Sequence, residues 1–228
     1  MAGGLGTRIR PMFPGLPKPM IPVRGVPFIE YQMDTLHSLG ISEFVLCVGY
    51  MADVIISHFS GDDSSNRRPY SIQFSVEKEQ LGTGGAIRNA LPILDAEFLV
   101  VNGDTFVKFD LAGMERFHRI SKSDCTLLLS KRQDTSDYGT VRVRGDWKVT
   151  GFEEKGVSAG PAFVSAGAYI VKKGMFEGTP VKFSFERELL PALVDRGMVF
   201  GYPTQGQFVD IGTPERFLAF KQQAESQL

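Results

Sequence analysis

The first ten residues contain a turn suited to an anion. In Gly3-Gly4-Leu5-Gly6-Thr7-Arg8 the glycines let successive backbone N–H groups point one way, while Thr7 adds a hydroxyl and Arg8 a planar charged fork. This is not a dinucleotide fingerprint, since Ile9 stands where the third glycine of G-x-G-x-x-G is needed, and Gly82-Thr83-Gly84-Gly85-Ala86-Ile87 fails in the same way. No Walker A sequence is present. Downstream, Pro17-Lys18-Pro19 restricts the backbone on both sides of one ammonium, which holds it near the glycine turn. Taken alone, the first segment is a tight turn and the second a proline-rich connector with a solvated lysine. Two aspartates follow strand-like runs: Asp104 after Val100-Val101-Asn102-Gly103, and Asp210 after Gln207-Phe208-Val209. As isolated residues they are a turn aspartate and a carboxylate near the start of a helix.

Regular elements must hold these groups in place. Residues 44–48, 71–76, 98–101 and 126–130 read as short strands, mostly apolar on both faces, separated by helical spacing over 27–39, 52–59, 83–94 and 111–120. Such alternation predicts an α/β layered fold with a mostly parallel sheet. Beyond Ser130 the pattern becomes an antiparallel meander over 141–144, 148–153 and 163–171. Helices follow over 184–195 and 214–224, the last with Thr213 as N-cap and Pro214 at its first position. Gly61–Pro69 is a polar surface loop, and Trp147 beside Gly145-Asp146 marks a hairpin. His37, His58 and His118 fall in helical patterns, on the surface or at the core edge. The expectation is one domain, 1–228, without repeat or linker.

Composition narrows the class. The 228 residues are 43% hydrophobic and carry 25 Lys+Arg against 26 Asp+Glu, enough apolar material for a real core. Near-neutral charge argues against a nucleic-acid partner. No apolar run nears the ~18–20 residues of a membrane span. Cys47 and Cys125 sit in apolar runs without metal or redox spacing, as buried thiols in a reducing compartment do. A cytoplasmic location is therefore expected.

Ala2–Pro11 and Pro17–Val23 together resemble the signature of the sugar-1-phosphate nucleotidylyltransferases. Glu79–Ala86, Val101–Phe106, Tyr138–Thr140, Phe152–Lys155, Phe183–Glu186 and Phe208–Glu215 occur in family order. The combination of NGDTF, YGTV, FEEK, FSFE and DIG-x-PE is most similar to the D-glycero-α-D-manno-heptose 1-phosphate guanylyltransferases. The resemblance implies a three-layer, Rossmann-like, GT-A-like fold with a mixed, mostly parallel central sheet and a small antiparallel sugar-binding part. It also implies a short apolar strand before Ala2-Gly3-Gly4, where this sequence has Met1 alone.

The implied reaction is attack of a sugar 1-phosphate on the α-phosphorus of a nucleoside triphosphate, releasing pyrophosphate. The partners would be GTP, or another NTP, and D-glycero-α-D-manno-heptose 1-phosphate, giving GDP-heptose for a surface glycan. A homo-oligomer stays open. Mannose 1-phosphate with GTP, or N-acetylmuramate or glucose 1-phosphate with UTP or dTTP, would keep the chemistry. A non-catalytic sugar-nucleotide-binding regulator would keep only the fold. By resemblance, the nucleotide lies on Ala2, Gly3, Gly4, Gly6, Thr7, Arg8 and Lys18, with Arg8 on the leaving pyrophosphate and Lys18 at the α-phosphate. Asp104 and Asp210 match the ligands of Mg2+. Lys155 would hold the sugar phosphate as a third catalytic cation; Asn102, Tyr138, Gly139, Glu154 and Glu186 would line the sugar. Gly82, Gly84 and Gly85 would let the base approach, and Glu79, or Glu77, would accept its N–H donors. Gln80 stands where the heptose enzymes have proline.

Overall fold

A computed structural model describes residues 1–4, 6–61, 68–135, 138–153 and 160–226. The strands and helices run in the order β1 (Pro22–Val23), β2 (Val26–Pro27), α1 (Phe28–Ser38), β3 (Glu43–Val48), α2 (Ala52–Phe59), β4 (Ser71–Val76), α3 (Gly82–Ala90), β5 (Glu97–Val101), β6 (Thr105–Val107), α4 (Leu111–Ile120), β7 (Cys125–Arg132), β8 (Thr140–Val143), β9 (Val149–Glu153), β10 (Ala162–Lys172), α5 (Leu190–Asp195), β11 (Val199–Thr204), β12 (Phe208–Asp210) and α6 (Pro214–Ser226). Two compact units emerge. The first gathers residues 1–81, 102–106 and 209–228, the second 82–101 and 107–208. The chain crosses between them at 81/82, 101/102, 106/107 and 208/209, so no single cut separates them.

In the first unit β3 and β4 pair in parallel, from Glu43 opposite Ser71 to Val48 opposite Val76. Helix α1 buries Phe28, Ile29, Gln32, Met33 and Leu36, the spacing of one helical face. Ile29 and Met33 pack with Ala2, Met20, Leu46, Val48 and Ile55. A second cluster joins Ile9, Ile21, Val23 and Phe28 to Phe106, Ile211, Phe217 and Phe220, with Phe28 and Phe220 edge to face at 5.1 Å. The glycine turn is therefore anchored through Ile9 to the last helix. Ala2 packs in the first of these clusters; its N–H donates to Cys47 O at 2.8 Å, and the Gly103 N–H donates to Met1 O at 2.7 Å.

The second unit is a mixed sheet in the order β11-β7-β10-β8-β9, with β5 also on β10. β11 is parallel to β7; β10 is antiparallel to β5, β7 and β8. Leu127, Leu128 and Leu129 are fully buried on successive positions of β7, as expected of a strand covered on both faces. The helix expected over 184–195 begins instead with a wider π-type turn, Phe185–Leu189, before α5. Pro191 gives the reason, because its ring would clash with the carbonyl four residues back in a regular helix.

His118 departs from the surface or edge position expected of it. It is 1% exposed, with Nδ1 2.7 Å from Thr126 Oγ1 and Nε2 3.1 Å from Glu97 Oε2. Burial pulls its pKa below the ordinary histidine value, against the opposing pull of Glu97. A base that resists protonation in the fold contributes stability above its unfolded pKa and loses it as pH falls through the folded one. The urea midpoint should thus fall between about pH 7 and about pH 5, and fall less steeply in His118→Asn. Equal slopes for the two proteins would assign the acid sensitivity elsewhere.

Both cysteines are buried and free. Among the described residues no helix is long and apolar enough to cross a membrane.

Candidate functional site

In the first unit the glycine turn closes on itself. Gly6 adopts a positive φ of 57°, and its carbonyl accepts the Ile9 and Arg10 N–H groups at 3.2 and 3.0 Å. A β-carbon on Gly6 would lie 3.0 Å from Cβ of Lys18, so the bare glycine is what lets the lysine stem lie against the turn. Pro17 and Pro19 are buried on either side of Lys18, and the Met20 N–H bonds back to Pro17 O at 2.8 Å. Thr7, Arg8 and Gly4 face solvent. The lysine is thus held beside the glycine turn, as its flanking prolines predict.

Nζ of Lys18 reaches Asp104 Oδ2 at 2.5 Å. Asp104 is carried on the turn after β5, which Gln32 of α1 pins by donating to the carbonyls of Asn102, at 2.8 Å, and Thr105. The Ile211 N–H bonds to Asp104 O at 2.9 Å, which brings the Asp210 segment alongside. Asp210 accepts the Gly212 N–H at 3.0 Å, and Nη1 of Arg216 bridges its two oxygens at 2.9 and 3.0 Å. A β-carbon on Gly212 would lie 2.7 Å from Asp210 Oδ1, 3.4 Å from Arg8 Nη2 and 3.7 Å from Lys18 Nζ. Charges of both signs therefore converge on one buried glycine.

Glu77 completes this side. The ladder of β4 continues through its N–H to Val48 O at 2.8 Å. Its carboxylate fills space that Gly3 and Gly49 leave open, and a β-carbon on Gly3 would lie 2.5 Å from Oε1. Oε2 accepts the Leu81 N–H at 3.2 Å. Burial raises its pKa, the largest effect on it. Glu79, by contrast, is exposed. Gln32 and Arg216 were not singled out by sequence reasoning. Arg216 left a signal in its position two residues after Pro214, where an unfavourably placed cation asks for a carboxylate nearby.

The second unit holds another group of the expected residues. Gly82 has φ of 76°, and the N–H groups of Gly84 and Gly85 both bond to Phe183 O, at 3.1 and 3.2 Å. The missing side chain of Gly84 is where the Phe183 ring packs. Thr83 Oγ1 donates to Glu186 Oε2 at 2.5 Å and accepts the Phe185 N–H at 2.9 Å. Ser184 caps the turn, accepting from Arg187 N at 3.2 Å. Tyr138 and Gly139 form the turn into β8; the Tyr138 ring lies 6.0 Å from that of Phe208 and 5.8 Å from the Arg132 guanidinium. Glu154 and Lys155 lie outside the described residues.

The glycine turn with its adjacent fixed lysine, one aspartate on the turn after β5 and another at the end of β12 stand in the order that the resemblance to nucleotidyltransferases implies. The family model described as nucleotidyl transferase matches residues 1–227, and the chain belongs to that family. It is 36% identical over 220 residues to the D-glycero-alpha-D-manno-heptose 1-phosphate guanylyltransferase of Aneurinibacillus thermoaerophilus, covering 95% of this chain and 93% of that one. It is also 34% identical over 223 residues to the mannose-1-phosphate guanylyltransferase of Mycobacterium tuberculosis, over 96% of this chain and 61% of that protein. A crystal structure of HddC from Yersinia pseudotuberculosis complexed with GMP-PN superimposes with a TM-score of 0.85 at 34% identity, over 98% and 96% of the two chains.

Proposed function

We propose that this chain transfers GMP from GTP to D-glycero-α-D-manno-heptose 1-phosphate. An oxygen of the sugar phosphate attacks the α-phosphorus, the bond to the β-phosphate oxygen breaks, and pyrophosphate leaves with the electron pair. Two polyanions must meet, so fixed cations and donors matter more than proton transfer. The observation that carries the reading is the convergence of Asp210, Arg8 and Lys18 around Gly212, with Asp104 on Lys18.

The roles follow from charge. Arg8 suits the leaving pyrophosphate, whose charge grows as the bond breaks; Lys18 suits the α-phosphate and the incoming sugar phosphate. The N–H groups of Gly3, Gly4, Gly6 and Thr7, with Ala2 packed beneath them, serve the nucleotide, and Lys155, Glu154, Glu186, Asn102, Tyr138 and Gly139 the sugar phosphate. Asp104 and Asp210 would hold Mg2+. Two carboxylates are a donor set that suits an ion taking its remaining ligands from phosphate oxygens and water. When bound, Mg2+ supplies charge neutralisation on those phosphates.

For the base we favour Glu77 over Glu79. A half-buried carboxylate in the space opened by Gly3 and Gly49 can accept N1–H and N2–H of guanine together. Glu77→Gln keeps the volume and loses one acceptor, so the KM for GTP should rise about tenfold while that for the sugar phosphate holds. Because the carboxyl pKa is raised, the KM for GTP should also climb on acidification earlier than an ordinary glutamate would dictate. A KM for GTP unmoved by the substitution would return the assignment to Glu79.

We read 1–228 as one domain, its thiols kept reduced in the cytoplasm and its product used for a surface glycan such as capsule or lipopolysaccharide. The test of function is pyrophosphate release with magnesium across four NTPs and a panel of heptose, mannose, glucose and N-acetylated sugar 1-phosphates. Release with GTP and the heptose phosphate is expected. Preference for mannose 1-phosphate would keep the chemistry and correct the sugar, whereas no release with any pair would leave a regulatory sugar-nucleotide binder.

A further inference from the structure

Arg216 is the third residue of α6, where a cation faces the positive end of the helix dipole. It is placed there against the helix's own field and toward Asp210, whose two oxygens its Nη1 bridges at 2.9 and 3.0 Å. The two side chains are only 19% and 14% exposed, so solvent screens the pair weakly. Lys18 engages one oxygen of the more exposed Asp104, Oδ2, at 2.5 Å. Arg8, Lys18 and Arg216 thus set three positive charges against the two negative charges of Asp104 and Asp210.

We propose that Arg216 is a positioning residue that withholds Asp210 from a free divalent cation, so that the ion enters only together with the triphosphate. The inference rests on the reading of Asp104 and Asp210 as the metal's ligands. With no nucleotide bound, an arriving dication meets a net positive group and two carboxylates already satisfied by nitrogen. The phosphates of the nucleotide reverse that balance by drawing Arg8 and Lys18 to themselves and adding oxygens to the site. Asp210 then turns toward the phosphates from an orientation that Arg216 has already fixed. Lysine at this position would keep the charge, and methionine would remove it at similar length.

Manganese is the probe. Binding of Mn2+ to the full chain is measured by the loss of the free-ion electron paramagnetic resonance signal, with and without a non-hydrolysable GTP analogue, each corrected by a protein-free control for the ion that the analogue chelates by itself. The wild type should bind Mn2+ alone at least about tenfold more weakly than in the presence of the analogue. Arg216→Met should bind Mn2+ alone about tenfold more tightly than the wild type, and Arg216→Lys should resemble the wild type. The gain should vanish in Arg216→Met/Asp210→Asn. A purely structural arginine would lower the melting temperature of both substitutions without this split in Mn2+ affinity. Unchanged Mn2+ affinity in Arg216→Met, or a gain that survives Asp210→Asn, would overturn the proposal while leaving the transferase reading intact. If Asp210→Asn alone leaves Mn2+ binding with the analogue untouched, the metal assignment fails, and this inference with it.

Discussion

Asp104→Asn should lower kcat by about three orders of magnitude and leave the fold in place. The amide matches the carboxylate in shape, and Thr105 Oγ1, which donates to Oδ1 at 3.2 Å, keeps an oxygen to bond. The negative charge is what disappears. Lys18, now drawn to Oδ2 at 2.5 Å, loses the partner that fixes its ammonium, and a neutral amide oxygen is a poor ligand for a hard dication. Steady-state rates together with a thermal melt separate the two effects. An unchanged melt with activity within about tenfold of wild type would remove Asp104 from the chemistry.

Gly82→Ala should act on stability instead. At φ of 76° an L-residue is strained by about 1–2 kcal/mol, and the new β-carbon would stand 2.5 Å from the backbone oxygen of Phe183. A carbonyl that already accepts the N–H groups of Gly84 and Gly85 cannot swing away cheaply. The sum should be about 3 kcal/mol, lowering Tm by about 6–12 °C in a chain of this size. A melt shifted by less than about 2 °C would mean that the start of α3 relaxes freely.

The parts of this molecule legible in the sequence are those whose pattern matched their burial. Val45–Val48 and Leu127–Leu129 are continuous apolar runs because their strands are covered on both faces, and Phe28–Leu36 repeats at helical spacing because one face meets a core. β11 was not anticipated, since Gly201 and Pro203 interrupt Val199–Thr204 and the parallel partner that tolerates them lies some seventy positions earlier, at β7. The start of the 184–195 helix misled because Pro191 disturbs the carbonyls of the turn before it as well as the helix it opens. At the site, Lys18 could be placed near the glycine turn from its flanking prolines. The choice between Glu77 and Glu79 could not be made, because it depends on Gly3 and Gly49, glycines far away in sequence that make room for one side chain. Arg216 left only its unfavourable place in the first turn of α6 as a signal, because its meaning is the carboxylate it faces.

The pairing of Ile9, Ile21 and Phe28 with Phe217 and Phe220 also dictates an order of events during synthesis. A ribosome finishes residues 82–208, and with them every strand of the mixed sheet, before α6 exists. Until those last aromatics emerge, the floor beneath the glycine turn is half built, and Phe28 has no ring to meet. Nascent chains arrested after β12 should therefore present a protease-resistant middle and a cleavable beginning. The glycine turn, first to leave the ribosome, would be among the last parts to acquire its shape.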